Sequence, residues 1–178
     1  GVRCGIMDQF INIHGREKKV LKIDCRSLEY EYFPFDRPDL RIVVCDTLVR
    51  RELASSEYNV RRRQCEEGVE VLKKYAPDIR SLRDVGFCLL EEHRAEIDPL
   101  VYRRCDYVIR ENIRVEEACR DLVAGDFRSF GERMGASHAG LRDGYEVSSP
   151  ELDTLVEAAS KVEGVLGARM MGAGFGGC

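Results

Sequence analysis

Leu21-Lys22-Ile23-Asp24-Cys25-Arg26-Ser27-Leu28-Glu29-Tyr30-Glu31-Tyr32 alternates apolar with charged side chains on both sides of a short polar turn. Successive side chains of a strand point to opposite faces, so this period of two predicts half-buried strands. The polar pair Arg26-Ser27 predicts a hairpin turn between them. Pro34 and Pro38 close the hairpin, and residues 41–45 read as a short continuous strand.

Downstream the period changes. Tyr58, Cys65, Val69 and Leu72 share one face of a helix expected over residues 56–75, with Pro77 beyond its end. Asp98-Pro99 has N-cap and first-turn chemistry, and Gly125-Asp126 reads as a helix stop followed by a new N-cap. Ser149-Pro150-Glu151 starts a helix with a stripe of Leu152, Leu155, Val156 and Ala159 that ends near Gly164. A last strand is expected over residues 166–171. Strands followed by helices predict an α+β protein.

Upstream, residues 15–19 form a charged turn after a first helix. That helix begins in Gly1-Val2-Arg3-Cys4-Gly5-Ile6-Met7-Asp8-Gln9-Phe10. Helix positions three and four apart share a face, which places Gly5, Asp8 and Asn12 together. Ile6, Met7, Phe10 and Ile11 are available to anchor the rest. A carboxylate on an anchored helix, beside a residue without a side chain, can meet a ligand closely. The plainer alternative is an aspartate that complements the helix dipole.

The chain has 178 residues, 34% of them charged and 44% hydrophobic, enough for one substantial core in a water-soluble protein. A formal charge of −4 gives no broad positive field for nucleic acid. Arg61-Arg62-Arg63, followed by Glu66 and Glu67, reads as a solvated helix face paired at helical spacing. Eight cysteines are scattered without a Cys-x-x-Cys pair, and His14, His93 and His138 are dispersed. This pattern predicts reduced thiols, with Cys45 packing as a small hydrophobe, and no metal site. No signal peptide or spanning segment is visible, so a cytoplasmic protein without membrane partners is expected. The opening at Gly1 and the end inside a glycine cluster suggest a piece of a longer protein.

Residues 1–10, 53–66, 137–141 with 145–153, and 169–178 form four ordered blocks that together resemble the galactokinase family of the GHMP small-molecule kinases. The first is the Gly1 to Phe10 stretch. The second is Leu53-Ala54-Ser55-Ser56-Glu57-Tyr58-Asn59-Val60-Arg61-Arg62-Arg63-Gln64-Cys65-Glu66, similar to the family's tyrosine-bearing helix. The third joins Ser137-His138-Ala139-Gly140-Leu141 to Tyr145-Glu146-Val147-Ser148-Ser149-Pro150-Glu151-Leu152-Asp153. The fourth is Arg169-Met170-Met171-Gly172-Ala173-Gly174-Phe175-Gly176-Gly177-Cys178, similar to the third, glycine-rich family motif.

The resemblance implies a GHMP-kinase-like fold, with antiparallel sheet layers packed against helices. Residues 1–15 would be a catalytic-aspartate helix at a domain junction, and 16–178 most of the C-terminal domain. It implies ATP-dependent phosphorylation of the anomeric hydroxyl of galactose to galactose 1-phosphate, with Mg2+. Asp8 would be the catalytic base or hydroxyl-orienting group, and Cys4, Gly5, Asp8 and Tyr58 would bind the sugar. For Gly5 an ordinary helix-start role, and for Tyr58 membership of the core stripe, stand as alternatives.

Gly172, Gly174, Gly176 and Gly177 would form a loop near the active site. The segment formally matches G-x-G-x-x-G, a weak signal without a following helix. His138 is expected to make a structural hydrogen bond. The nucleotide and metal ligands would lie upstream of Gly1, so the chain alone is expected to be inactive, with exposed edges or apolar patches. A kinase for N-acetylgalactosamine or a related sugar, and a non-catalytic sensor of galactose and ATP, are the alternative readings. Departures from the family pattern fall at Arg104-Cys105-Asp106-Tyr107, Asp46-Thr47 and Met171.

Overall fold

The computed structural model describes residues 5–49 and 54–178. Helix α1 (Met7–His14) leads into strands β1 (Lys19–Ile23) and β2 (Tyr30–Pro34), which pair antiparallel with Leu21 opposite Tyr32. The hairpin lies where the alternation places it. Asp24 shapes the turn by accepting the backbone N–H groups of Arg26 and Ser27, and Leu28 takes the left-handed conformation at φ 63°.

The remaining elements are helical. They are α2 (Ala54–Leu72), a 3-10 turn (Leu82–Asp84), α3 (Phe87–Glu92), a second 3-10 turn (Arg94–Glu96), α4 (Pro99–Ala124), α5 (Phe127–Ala139) and α6 (Pro150–Ser160). Their ends follow local chemistry. The Asp98 carboxylate accepts from the Leu100 and Val101 N–H groups, while Pro99 needs no acceptor. Gly125 closes α4 at φ 71°, and Asp126 and Ser149 cap α5 and α6 through Ser129 and Leu152 N–H.

Two apolar clusters share α4 as their spine. One joins Val69 and Leu72 of α2 to Leu90, Val101, Cys105 and Ile109. The other gathers Tyr107, Leu141, Val147, Leu152 and Met170, with Phe175 against it. Gly68 lets α2 approach α4, because a Cβ there would stand 2.3 Å from Cys105 Sγ.

Several sequence expectations need correction. Residues 41–45 and 166–171 form no strand, because neither run has a hydrogen-bonded strand partner among the described residues. Among the described residues the sheet is an antiparallel pair packed with helices. Ile42 and Val43 are 74% and 77% exposed, and Cys45 is exposed instead of packed. Helix α1 starts at Met7, so Gly5 precedes it, and Ile6, Met7 and Ile11 are exposed rather than anchoring. Phe10 supplies an apolar anchor by packing edge-on against Tyr30 with ring centroids 5.4 Å apart.

Candidate functional site

Asp8 lies in the first turn of α1 with an exposed side chain. Its carboxylate has no hydrogen-bond partner among the described residues. One turn on, Asn12 Nδ2 donates to the Asp8 carbonyl at 2.9 Å. The helix is held from its other end. Tyr32 Oη donates to the His14 carbonyl at 2.5 Å, and the His14 ring packs between Phe10 and Tyr30. A solvated carboxylate without a partner among the described residues, on a helix fixed by the hairpin, is an acceptor open to a hydroxyl group. Gly5 is exposed, and a Cβ there would meet nothing within 4 Å. Cys4 lies outside the described residues.

Tyr58 is half-buried on α2, above the apolar stripe that runs through Cys65 to Val69 and Leu72. Tyr145 stands nearby. Burial pushes its phenol well above the usual range, and Cys65, Tyr58 and Tyr107 add to the shift. Cys65 Sγ lies 3.7 Å from the Tyr145 hydroxyl.

The glycine-rich segment is a wound loop. Gly172, Gly174, Gly176 and Gly177 all have positive φ, and Phe175 joins them at φ 60°. Four glycines in this region are a conformational requirement, since side chains disfavour it. The loop is tied on three sides. Phe175 N–H donates to the Val147 carbonyl at 2.7 Å, Thr47 N–H to the Gly177 carbonyl at 2.9 Å, and Met171 N–H to the Cys178 carbonyl at 2.9 Å. Gly174 lies so near Val147 that a Cβ would sit 2.1 Å from its carbonyl oxygen.

His138, 4% exposed, supports the approach to this loop. Its Nδ1 accepts the Met170 N–H at 3.3 Å, the structural bond expected of it. Nε2 lies 3.2 Å from Asp153 Oδ1 but out of line for a good hydrogen bond. Asp153 in turn accepts from Ser148 Oγ at 2.6 Å. Burial holds the imidazole below its usual pKa, partly offset by Asp153.

Sequence patterning missed the residues that join Tyr58's helix to the loop. Within Arg61-Arg62-Arg63, Arg62 does pair with Glu66 at 3.1 Å on the solvated face. Arg61 is different: it is buried, and it donates to the Tyr145 and Glu146 carbonyls at 2.7 and 2.8 Å. Arg104 is 1% exposed, donating to the Gly144 carbonyl and Glu146 Oε2. A charged run at helical spacing cannot show which member turns inward.

The structure thus brings Tyr58's helix, residues 144–147 and the glycine-rich loop together. Among the described residues, no hydrogen bond or ring contact joins Asp8 to Tyr58 or to that loop. Two shallow cavities, one at residues 76–79 with Asp84 and one between the hairpin and α4, touch none of the candidate residues. Among the described residues no three His, Cys, Asp or Glu side chains converge as a metal site.

Residues 116–178 match the family model described as "GHMP kinases C terminal". With this fold, the chain carries the C-terminal region of the GHMP kinases. Within them, the chain is similar over its whole length to galactokinases. It is 50% identical to human galactokinase over 178 residues, covering 100% of this chain and 44% of the relative. It is 46% identical to galactokinase of Roseiflexus sp., covering 100% and 45%. The crystal structure of Lactococcus lactis galactokinase complexed with galactose superposes with a TM-score of 0.88 at 42% identity, over 99% of this chain and 46% of that one. The chain spans less than half the length of these relatives.

Proposed function

We propose that these 178 residues serve an ATP-dependent kinase that transfers a phosphoryl group to the anomeric hydroxyl of galactose, giving galactose 1-phosphate. The observation that carries this reading is similarity to galactokinases along the whole chain, extending from the Asp8 helix to the glycine-rich loop. In this reading residues 1–15 stand at the junction of two domains, and 16–178 form most of the C-terminal one.

Phosphoryl transfer asks a protein mainly for positioning and charge stabilisation, plus one group to orient or accept the hydroxyl proton. Asp8 supplies that group. Its exposure on a hairpin-braced helix supports the role, since the acceptor is held in place and open to solvent. Cys4 and Gly5 would line the sugar pocket. Tyr58 offers a ring for a sugar face and a hydroxyl that both donates and accepts. Gly172, Gly174, Gly176 and Gly177 would bring backbone close to the transferred group.

ATP is the co-substrate, accompanied by Mg2+. Mg2+ is usually bound through one or two carboxylates together with the substrate phosphates. The reaction would take place in the cytoplasm. Among the described residues no helix is long and apolar enough to cross a membrane, and the described cysteines are free thiols.

The test is phosphate transfer by the full-length protein, with galactose, N-acetylgalactosamine and other hexoses compared at saturating ATP. Galactose 1-phosphate as the fastest-formed product is the expected result. Preference for N-acetylgalactosamine would reassign the substrate. Binding of galactose and ATP without transfer would identify a sensor instead.

A further inference from the structure

Two arginine side chains are withdrawn from water where three consecutive carbonyls need donors. Helix α5 runs on through a π turn (Gly140–Tyr145), and the chain then leaves it at Glu146, whose φ of 53° and ψ of 55° are left-handed. A non-glycine residue in that region persists only where its surroundings determine it. Here they do. Arg61 donates to the carbonyls of Tyr145 and Glu146, and Arg104 to that of Gly144 and to the Glu146 carboxylate. A guanidinium keeps its charge when buried, so each must be met by acceptors in fixed places.

The consequence reaches the next residue. Val147 N–H donates back to the Leu141 carbonyl at 3.0 Å, and its own carbonyl receives Phe175 N–H at 2.7 Å. The close approach of Gly174 to that carbonyl leaves no slack in the contact. Arg61 also lies three residues beyond Tyr58 on α2, so one helix face carries both.

We propose that Arg61 and Arg104 are positioning residues for the glycine-rich loop, locking residues 144–146 in the one shape that presents the Val147 carbonyl to Gly174 and Phe175. The loop's placement rests on this geometry; its effect on turnover rests on the kinase reading above. The clamp ties the helix bearing the sugar-side tyrosine to the loop beside the transferred phosphoryl group.

The test uses Arg61→Lys, Arg104→Lys and Glu146→Gln in the full-length protein. Lysine keeps the charge but loses the fork that spans two acceptors. Glu146→Gln removes a charge at a solvent-accessible site and serves if Arg104→Lys fails to fold. Amide exchange at Phe175 should quicken by at least ~10-fold while the interior of α4 stays protected. Turnover per folded molecule, with both substrates saturating, should fall between ~10- and ~100-fold, as for a misplaced reacting group. The KM for galactose should change less than the turnover.

Unchanged exchange at Phe175 would overturn the proposal, as would equal loss of protection along α4, which marks general destabilisation. Loop loosening with unchanged turnover would overturn the catalytic consequence. If the unsubstituted protein transfers no phosphate, the kinase reading fails by itself, and exchange at Phe175 alone decides whether the clamp holds the loop.

Discussion

Arg26 in the hairpin turn and Asp84 in the 3-10 turn, 58 positions apart, form a two-pronged ion pair at 2.9 and 2.7 Å. Beside it Arg83 grips Asp24 with two guanidinium nitrogens at 2.5 Å. These two pairs stitch the tip of the hairpin that braces α1 to the helical body. The arginines hold both carboxyls well below their usual range. Because the folded pKa values are depressed, the tie is present above the unfolded carboxylate value of ~3.9 and is lost as pH falls through the folded values. Hairpin amides should therefore lose protection in strong acid before α4 does. At neutral pH Asp84→Asn should loosen the same amides, and added salt should loosen them in the parent, since the pairs are exposed. Unaltered hairpin exchange in that variant would refute the stitch.

Asp8→Asn keeps the size and removes the charge and the proton acceptor. In the full-length protein turnover should fall by at least ~10²-fold, with the fold and galactose binding retained. A helix-dipole aspartate would behave differently, changing stability by at most about 1 kcal/mol and leaving turnover nearly intact. Steady-state rates and thermal melting of the same sample separate the two roles. A near-parental rate would falsify the catalytic assignment.

Gly68→Ala places a methyl group against Cys105 Sγ, where a Cβ would stand at 2.3 Å. Overpacking of this kind costs ~1–3 kcal/mol, offset in part by the better helix propensity of alanine. The variant should thus be net destabilised by urea unfolding. In a Cys105→Ala background the severe contact disappears and only Val101 Cγ1 remains close, at 3.3 Å, so Gly68→Ala should cost much less or become neutral. Equal costs in both backgrounds would show that the thiol does not set the spacing of α2 and α4.

His138 should make the protein acid-sensitive above the carboxylate range. Its folded pKa is lowered by burial, so the unfolded chain takes up the proton first. Stability is full above ~6.5 and declines as pH falls through that value toward the folded pKa. Protonation of Nδ1 also removes the acceptor for Met170 N–H. Between pH 7.5 and 5.5, on the order of one unit either side of that value, the parent's urea midpoint should fall more steeply than that of His138→Gln. Every other ionisable group is common to both proteins, so the difference between slopes is the quantity read. Identical slopes would remove His138 from the account.

What the local sequence determined is what short-range physics governs. Alternation at residues 21–32 places the hairpin, and Asp98, Gly125 and Ser149 place helix ends, because caps and turns act within a few residues. The glycines of the last motif likewise encode positive φ, whatever surrounds them. Strand formation at residues 41–45 and 166–171 was not decided locally, since an extended apolar run becomes a strand only with a partner edge to bond. Nor was the inward turn of Arg61 and Arg104. Their charges look solvated in one dimension, and only the arrival of the Gly144, Tyr145 and Glu146 carbonyls from 80 or so positions away along α2's partner segment, or about 40 from Arg104, makes burial tolerable. Tertiary structure decided these points because hydrogen-bond partners distant in sequence are absent from any local window.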